Sequence, residues 1–205
     1  MDTTEIPVQA NLTGRFNAYN ALAVYAVARL LSAAPVDISK ALAQAQPPQG
    51  RMWSLKGPEG RWGLVDYAHT PDALAAALAA LRPEASGKLV VLFGCGGDRD
   101  PGKRAMMGKV ACKIADDVII TDDNPRSEDP ASIRSAILES CAKATEIVPR
   151  DKAITTALAS LVAGDVLLIA GKGHETGQLI GNETLPFDDA SVANNKIRTM
   201  REALQ

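Results

Sequence analysis

Aromatic side chains make up only 4% of the 205 residues, so Ala, Leu, Val and Ile must fill whatever core forms. Histidine occurs twice, at His69 and His174, too rarely to build a histidine metal centre. The three cysteines, Cys95, Cys112 and Cys141, are odd in number and widely spaced. They present neither a disulfide framework nor a zinc-ligand spacing, which suits a reducing, cytoplasmic setting. No apolar run is long enough to span a bilayer, and no signal peptide precedes the fold. The formal net charge of -2 argues against a general nucleic-acid or membrane-surface binder. Internal repeats and low-complexity tracts are missing too. Gly-x-Gly-x-x-Gly is missing as well, and Gly97–Arg104 is not a Walker loop, since Arg104 stands where that loop needs Ser or Thr; this disfavours a dinucleotide oxidoreductase.

What is present is a chain with 46% hydrophobic residues, sufficient for one large domain or a domain with a fragment attached. Residues 1–46 differ from the rest. A polar start leads through Leu12–Asn17 into an Ala-rich helix over 20–31 and a short helical turn over 39–45. Gln46-Pro47-Pro48-Gln49-Gly50 reads as a linker, which divides the chain into 1–46 and 47–205. Beyond it, strands and helices alternate. Strands are expected over 52–55, 62–66, 89–93, 117–121, 146–148 and 166–170, with a hairpin over 178–186. Helices are expected over 71–81, over 103–115 with Met106, Val110 and Ile114 inward, from 130, over 151–162 and over 191–203. Thr70 is placed to cap the first of these, with Pro71 in its first turn. This alternation predicts an α/β fold: a mostly parallel, Rossmann-like sheet with helices on both faces and right-handed crossovers.

Polar motifs follow directly on several of the apolar strands, and in such sheets ligands sit beyond the carboxyl ends of strands. Asp122-Asp123-Asn124-Pro125-Arg126 follows Val118–Thr121 and puts two carboxylates, an amide and a guanidinium there. Pro125 stiffens the backbone before Arg126, whose guanidinium suits a carboxylate through two parallel hydrogen bonds. Asp66–Asp72, after a strand, offers Asp66 to ribose hydroxyls and His69 to a nucleotide. Gly94–Arg104 combines glycines, which let backbone approach a ligand, with Arg99, Lys103 and Arg104. In Gly171-Lys172-Gly173-His174-Glu175, Glu175 is suited to accept from a substrate ammonium, and the second histidine of a zincin is missing. Cys95, between glycines and with no base beside it, reads as a small buried thiol.

Taken in order, these four segments resemble the C-terminal part of the Mur ligase family, in particular members that add meso-diaminopimelate. Gly14-Arg15-Phe16-Asn17-Ala18-Tyr19-Asn20-Ala21-Leu22-Ala23 resembles the end of that family's central ATPase domain. The resemblance implies an ATP-dependent acid–amino-acid ligase of peptidoglycan synthesis, cytoplasmic and monomeric, using ATP, Mg²⁺, a UDP-linked muramoyl dipeptide and meso-diaminopimelate. It further implies that Arg99, Asp123, Asn124, Pro125, Arg126, Gly171 and Glu175 hold diaminopimelate, with Arg126 on the distal carboxylate. Asn17, Asn20, Arg51, Asp66 and His69 resemble its ATP contacts. No catalytic residue and no metal ligand is assigned. Trp53 stands where relatives often carry an acidic residue. The family's Gly-x-x-Gly-Lys-Thr/Ser loop does not occur in the 205 residues, so the chain is expected to be a C-terminal portion, inactive alone. A lysine-adding or folylpolyglutamate-type ligase domain, and a non-catalytic small-molecule-binding α/β domain, are the alternatives.

Overall fold

The structure is a computed structural model that describes residues 6–10 and 12–204. It divides into two compact units, Met1–Pro48 and Gln49–Gln205.

In the first unit, α1 (Arg15–Leu30) and α2 (Pro35–Gln44) pack through Ala21, Ile38 and Leu42. Helix α1 begins five residues before its expected start. Gly14, with φ of 96°, turns the chain into it with no side-chain cap, so the usual N-terminal signal is missing. Leu22, Val27, Leu30 and Leu31 are exposed on or beside this helix. A hollow of about 650 Å³ beside it is lined by Ile6, Val8, Leu12, Ala21, Leu22 and others, with no charged side chain.

The second unit holds a six-stranded sheet. Its strands are β1 (Trp53–Lys56), β2 (Trp62–Asp66), β3 (Leu89–Phe93), β4 (Asp117–Ile120), β5 (Thr145–Glu146) and β6 (Val166–Ala170), ordered β1-β2-β6-β3-β4-β5. Only the β1–β2 pair is antiparallel. The crossovers are α3 (Pro71–Leu81), α4 (Gly102–Ile114), α5 (Pro130–Leu138) and α6 (Arg150–Ser160), followed by a hairpin of β7 (Gly177–Ile180) and β8 (Glu183–Pro186) and by α7 (Asp189–Glu202).

Side-chain alternation along the strands builds two cores. Leu89, Val91 and Phe93 of β3 join Leu74, Leu78 and Leu81 of α3, Met107 of α4 and Ile137 of α5 on one face. Val90 and Leu92 join Ile154 and Leu158 of α6 and Ala193 and Ile197 of α7 on the other. Each fully buried leucine contributes roughly 1.5–3 kcal/mol by leaving water. Thr70 Oγ1 accepts from Ala73 N at 3.2 Å and caps α3; Asp129 and Asp188 cap α5 and α7 in the same way.

Three expectations need correction. Of the α4 residues expected inward, Val110 and Ile114 are partly buried against the core, but Met106 is 48% exposed and the buried positions are Arg104, Met107, Gly108 and Ala111. The buried Arg104 is what displaced the apolar periodicity. The strand expected at 146–148 is the two-residue β5, Thr145–Glu146. Cys112 and Cys141, read as unpaired, are joined in a disulfide between α4 and the turn after α5. The packing of α4 on α5 brings their Cα atoms to 5.5 Å, across a sequence separation of 29 that no spacing rule reveals.

Candidate functional site

The chain enters β6 last and inserts it between β2 and β3, so the carboxyl ends of β2, β6, β3 and β4 lie side by side. Those four ends carry the four polar segments of the sequence. Their loops enclose a pocket of about 230 Å³, lined by Tyr67 and His69, Gly94, Cys95, Gly96, Arg99, Asp100, Lys103 and Met107, Asp123, Asn124 and Arg126, and Gly171 and Glu175.

The loops approach so closely that side chains are excluded at their crossing points. A Cβ on Gly97 would lie 1.9 Å from Pro125 O, and Gly97 N donates to Asn124 O at 2.9 Å. Gly171 has φ of 111°, and a Cβ there would meet Asp123 Oδ2 at 2.8 Å.

Arg126 is aimed by more than its proline neighbour. Its backbone has φ of 53°, and it forms a bridge to the hairpin: Arg126 N donates to Leu179 O and Gly181 N donates to Arg126 O. Its Nη1 donates to Gly97 O at 2.8 Å, which turns the half-buried guanidinium into the pocket. Arg99, more exposed, hangs on the same loop with Nη1 donating to Asp98 O. Ser127 donates to Asp98 from both N and Oγ, and Glu128 accepts from Asp98 N and twice from the buried Arg104. These contacts hold the Asp98 and Glu128 carboxyls below their ordinary pKa. Arg104, read as added positive charge, is neutralised by Glu128 and does not line the pocket.

At the other end stand Asp123 and Glu175. Burial pushes the Asp123 carboxyl above its ordinary pKa, with Arg150 and Lys172 pulling it back down. Asp122 points the opposite way along the strand, into an ion pair with Arg134, so one of the two adjacent carboxylates is lost to the site. Asn124 is buried and its amide is engaged: Oδ1 accepts from Lys172 Nζ (2.9 Å) and Leu179 N (3.0 Å), and Nδ2 donates to Glu175 Oε2 (2.8 Å). Pro125 is buried and serves through its backbone carbonyl, which accepts from Glu128 N. Cys95 is a free thiol, pushed up to about 12 mainly by burial and then by the Asp123 charge, so it is no nucleophile.

Along β2 the picture is looser. Asp66 does not line the pocket: its oxygens accept from Met52 N (2.8 Å) and Ala68 N (2.9 Å), stitching β1 to the strand end. His69 is exposed and bonds Tyr67 O through Nδ1. Arg51 lies over the Tyr67 ring at 4.7 Å, outside the pocket lining. Asn17 and Asn20 belong to the other unit, where Asn20 Nδ2 donates to Asn17 Oδ1.

Two buried charged side chains near the strand ends escaped the sequence reading. Lys172, flanked by glycines, is fully buried. Arg150 is buried beneath the pocket, paired twice with Asp189 (2.7 and 2.8 Å) and donating to Ala170 O and Asp122 O at the ends of β6 and β4. Position after a strand hinted at Lys172; nothing local marks Arg150, whose partners are 20 to 39 positions away.

A family model described as "Mur ligase, glutamate ligase domain" matches residues 50–173. The chain belongs to the Mur ligase family. The matched span runs from before β1 to the loop after β6 and so contains all four strand ends. Among curated Mur ligases, the UDP-N-acetylmuramoyl-L-alanyl-D-glutamate–2,6-diaminopimelate ligase of Caulobacter vibrioides is 49% identical over 181 residues, covering 88% of this chain and 37% of that protein. The ligase of the same name from Bradyrhizobium diazoefficiens is 51% identical over 178 residues, covering 87% and 37%. A solved diaminopimelate ligase structure superposes with a TM-score of 0.75 at 37% identity, over 95% of this chain and 40% of that one. Folylpolyglutamate synthase of Mycobacterium tuberculosis, solved with ADP, shares the fold at 23% identity and a TM-score of 0.65, over 80% of this chain and 39% of that one. The chain thus spans under two fifths of the length of these two curated Mur ligases. Among the described residues, no helix is long and apolar enough to cross a membrane.

Proposed function

We propose that this chain is the amino-acid-binding part of an ATP-dependent ligase that joins meso-diaminopimelate to a UDP-linked muramoyl dipeptide. The observation that carries the reading is a pocket lined by charges of both signs: Arg99, Lys103 and Arg126 are positive, and Asp100, Asp123 and Glu175 are negative. A head group bearing both a carboxylate and an ammonium matches that arrangement, and diaminopimelate has such a group at its distal end. The ligases of Caulobacter and Bradyrhizobium carry that substrate in their names.

In the whole ligase, ATP phosphorylates the side-chain carboxylate of D-glutamate. The free amine of the bound diaminopimelate attacks the acyl phosphate carbon, phosphate leaves with the bonding electrons, and the amine nitrogen loses a proton. This chain contributes position: Arg126 and Asp123 anchor the distal end and thereby set where the reacting amine sits. Arg51 and His69, on the β2 side of the second unit, are groups we assign to the nucleotide, and Asp66 supports them through the backbone; Asn17 and Asn20 are the nucleotide contacts we assign within the first unit, taken by itself. Among the described residues, no group of three or more His, Cys, Asp or Glu is arranged to hold a metal, so no Mg²⁺ site of this chain's own is assigned.

Titration calorimetry on the 205-residue chain tests the reading. Diaminopimelate is expected to bind at least tenfold more tightly than lysine, because one charge-assisted contact is worth about 1.5–3 kcal/mol. Arg126→Ala is expected to erase that preference. Equal affinities for the two amino acids in the unaltered chain would overturn it. The chain alone, supplied with ATP and both substrates, is expected to release no phosphate; measurable release would refute its assignment as a part.

A further inference from the structure

Lys172 is buried at 0% exposure, yet its ammonium lies within the wall of a polar pocket. It donates to Asn124 Oδ1 at 2.9 Å and to Glu175 Oε2 at 3.2 Å. Glu175 Oε2 also accepts from Asn124 Nδ2 at 2.8 Å. One oxygen of Glu175 is therefore held inside the protein by two donors, and the rest of the carboxylate is presented to the pocket. The Asn124 amide is locked in one orientation by the same contacts. A lysine so deeply buried is unfavourable unless its charge is matched, and the match here is a pocket carboxylate.

The charges around this end sum simply. Arg150 and Asp189 cancel in their own ion pair. Asp123 and Glu175 supply two negative charges when ionised, and Lys172 supplies one positive charge. One negative charge is left over, which a single ammonium completes.

We propose that Lys172 is a specificity-setting positioning residue: by holding Glu175 and Asn124 it limits the carboxylate end of the pocket to one ammonium and fixes where that ammonium lies. The proposal rests on the amino-acid-binding reading above and names a residue that acts through others without touching substrate.

Two variants test it in the 205-residue chain. Lys172→Met removes charge and donors; Lys172→Gln removes the charge and keeps a donor, should the methionine variant fail to fold. The first readout needs no substrate: the ¹³C titration of the Asp123 carboxyl. Loss of the neighbouring positive charge is expected to move its midpoint upward, and Glu175→Gln, which removes a negative charge, is expected to move it downward. An unmoved midpoint in the lysine variants overturns the proposal. The second readout is a double-mutant cycle on diaminopimelate affinity. Lys172→Gln is expected to weaken binding about tenfold or more, and to cost little further when added to Glu175→Gln. Losses that multiply independently overturn the proposal, because Lys172 then does not act through Glu175. If both neutral variants fail to fold while Lys172→Arg folds and binds normally, Lys172 belongs to the core alone and the proposal is overturned. If the Asp123 midpoint shifts as expected and the unaltered chain ignores diaminopimelate, the substrate reading fails while the charge-setting role of Lys172 stands.

Discussion

Beneath the pocket, Arg150, Asp189 and Lys172 are all buried and their charges meet partners at 2.7–3.2 Å. On the rim beyond β2, Arg51, Tyr67 and His69 touch through ring faces and a single bond to a backbone carbonyl. The same sheet edge thus has a floor whose geometry is fixed before any ligand arrives and a rim whose side chains are held weakly. A ligand at the floor meets preset charges, and little ordering is lost on binding. A ligand at the rim must order Arg51 and His69 itself. On the function proposed above, this difference would divide the work: the floor would select the amino acid and the rim would take the nucleotide.

Removing a floor charge breaks the comparison most severely. Asp189→Ala strips Arg150 of its paired carboxylate and leaves the buried guanidinium with Ala170 O, Asp122 O and the charges of Asp123 and Glu175, which it does not hydrogen-bond. Breaking such a pair costs about 3–5 kcal/mol. Chemical denaturation is expected to show that loss in the second unit. A cost under about 1 kcal/mol would mean that the floor is no more preset than the rim.

The contrast also explains what could be read from the sequence. The sheet was legible because β3 and β6 are unbroken apolar runs, and the site was legible because each polar motif follows a strand directly. The rim groups after β2 stand within three positions of the strand end at Asp66, so Tyr67, His69 and Asp66 could be placed from local order alone. The floor could not. Arg150 opens α6 and meets Asp189 across 39 positions, and Arg104 meets Glu128 across 24. Buried charges of this kind have no local signature, and they break the apolar periodicity on which helix faces are read, as at Met106 and Met107. The disulfide between Cys112 and Cys141 escaped for the same reason, since only tertiary packing brings the pair together.

A second, smaller effect sharpens the comparison through pH. Asp123 faces Arg150 from α6, Lys172 and Glu175 from the loop after β6, and the Cys95 thiol from the loop after β3. Its carboxyl is raised by burial, so on folding it holds its proton to higher pH than in the unfolded chain. The folded state therefore loses stability as pH climbs from the unfolded value through the folded one, and keeps that deficit above it. A substrate ammonium reverses the preference, because it favours the ionised carboxylate. Diaminopimelate affinity is expected to rise with pH through the Asp123 titration, by at most about tenfold per pH unit, with proton release on binding. Calorimetry in buffers of different ionisation enthalpy measures that proton. Affinity that falls with pH over the same range would show that Asp123 binds substrate while protonated, and the floor would then not be set by charge.

The smallest expected effect lies at the rim. Arg51 is exposed and its guanidinium rests 4.7 Å from the centre of the Tyr67 ring, a contact worth about 0.5–1 kcal/mol in such a setting. Arg51→Ala is expected to shift the denaturation midpoint barely, and to leave diaminopimelate binding by this chain unchanged, because Arg51 does not line the pocket. Its loss is expected to show only where nucleotide binds, as weaker ATP affinity in a full-length ligase carrying the substitution. If Arg51→Ala instead destabilised the fold by about 3 kcal/mol, the rim would be as firmly built as the floor. The assignment of Arg51 to nucleotide would then lose its physical basis, since a side chain already committed to the fold is not free to close on a phosphate.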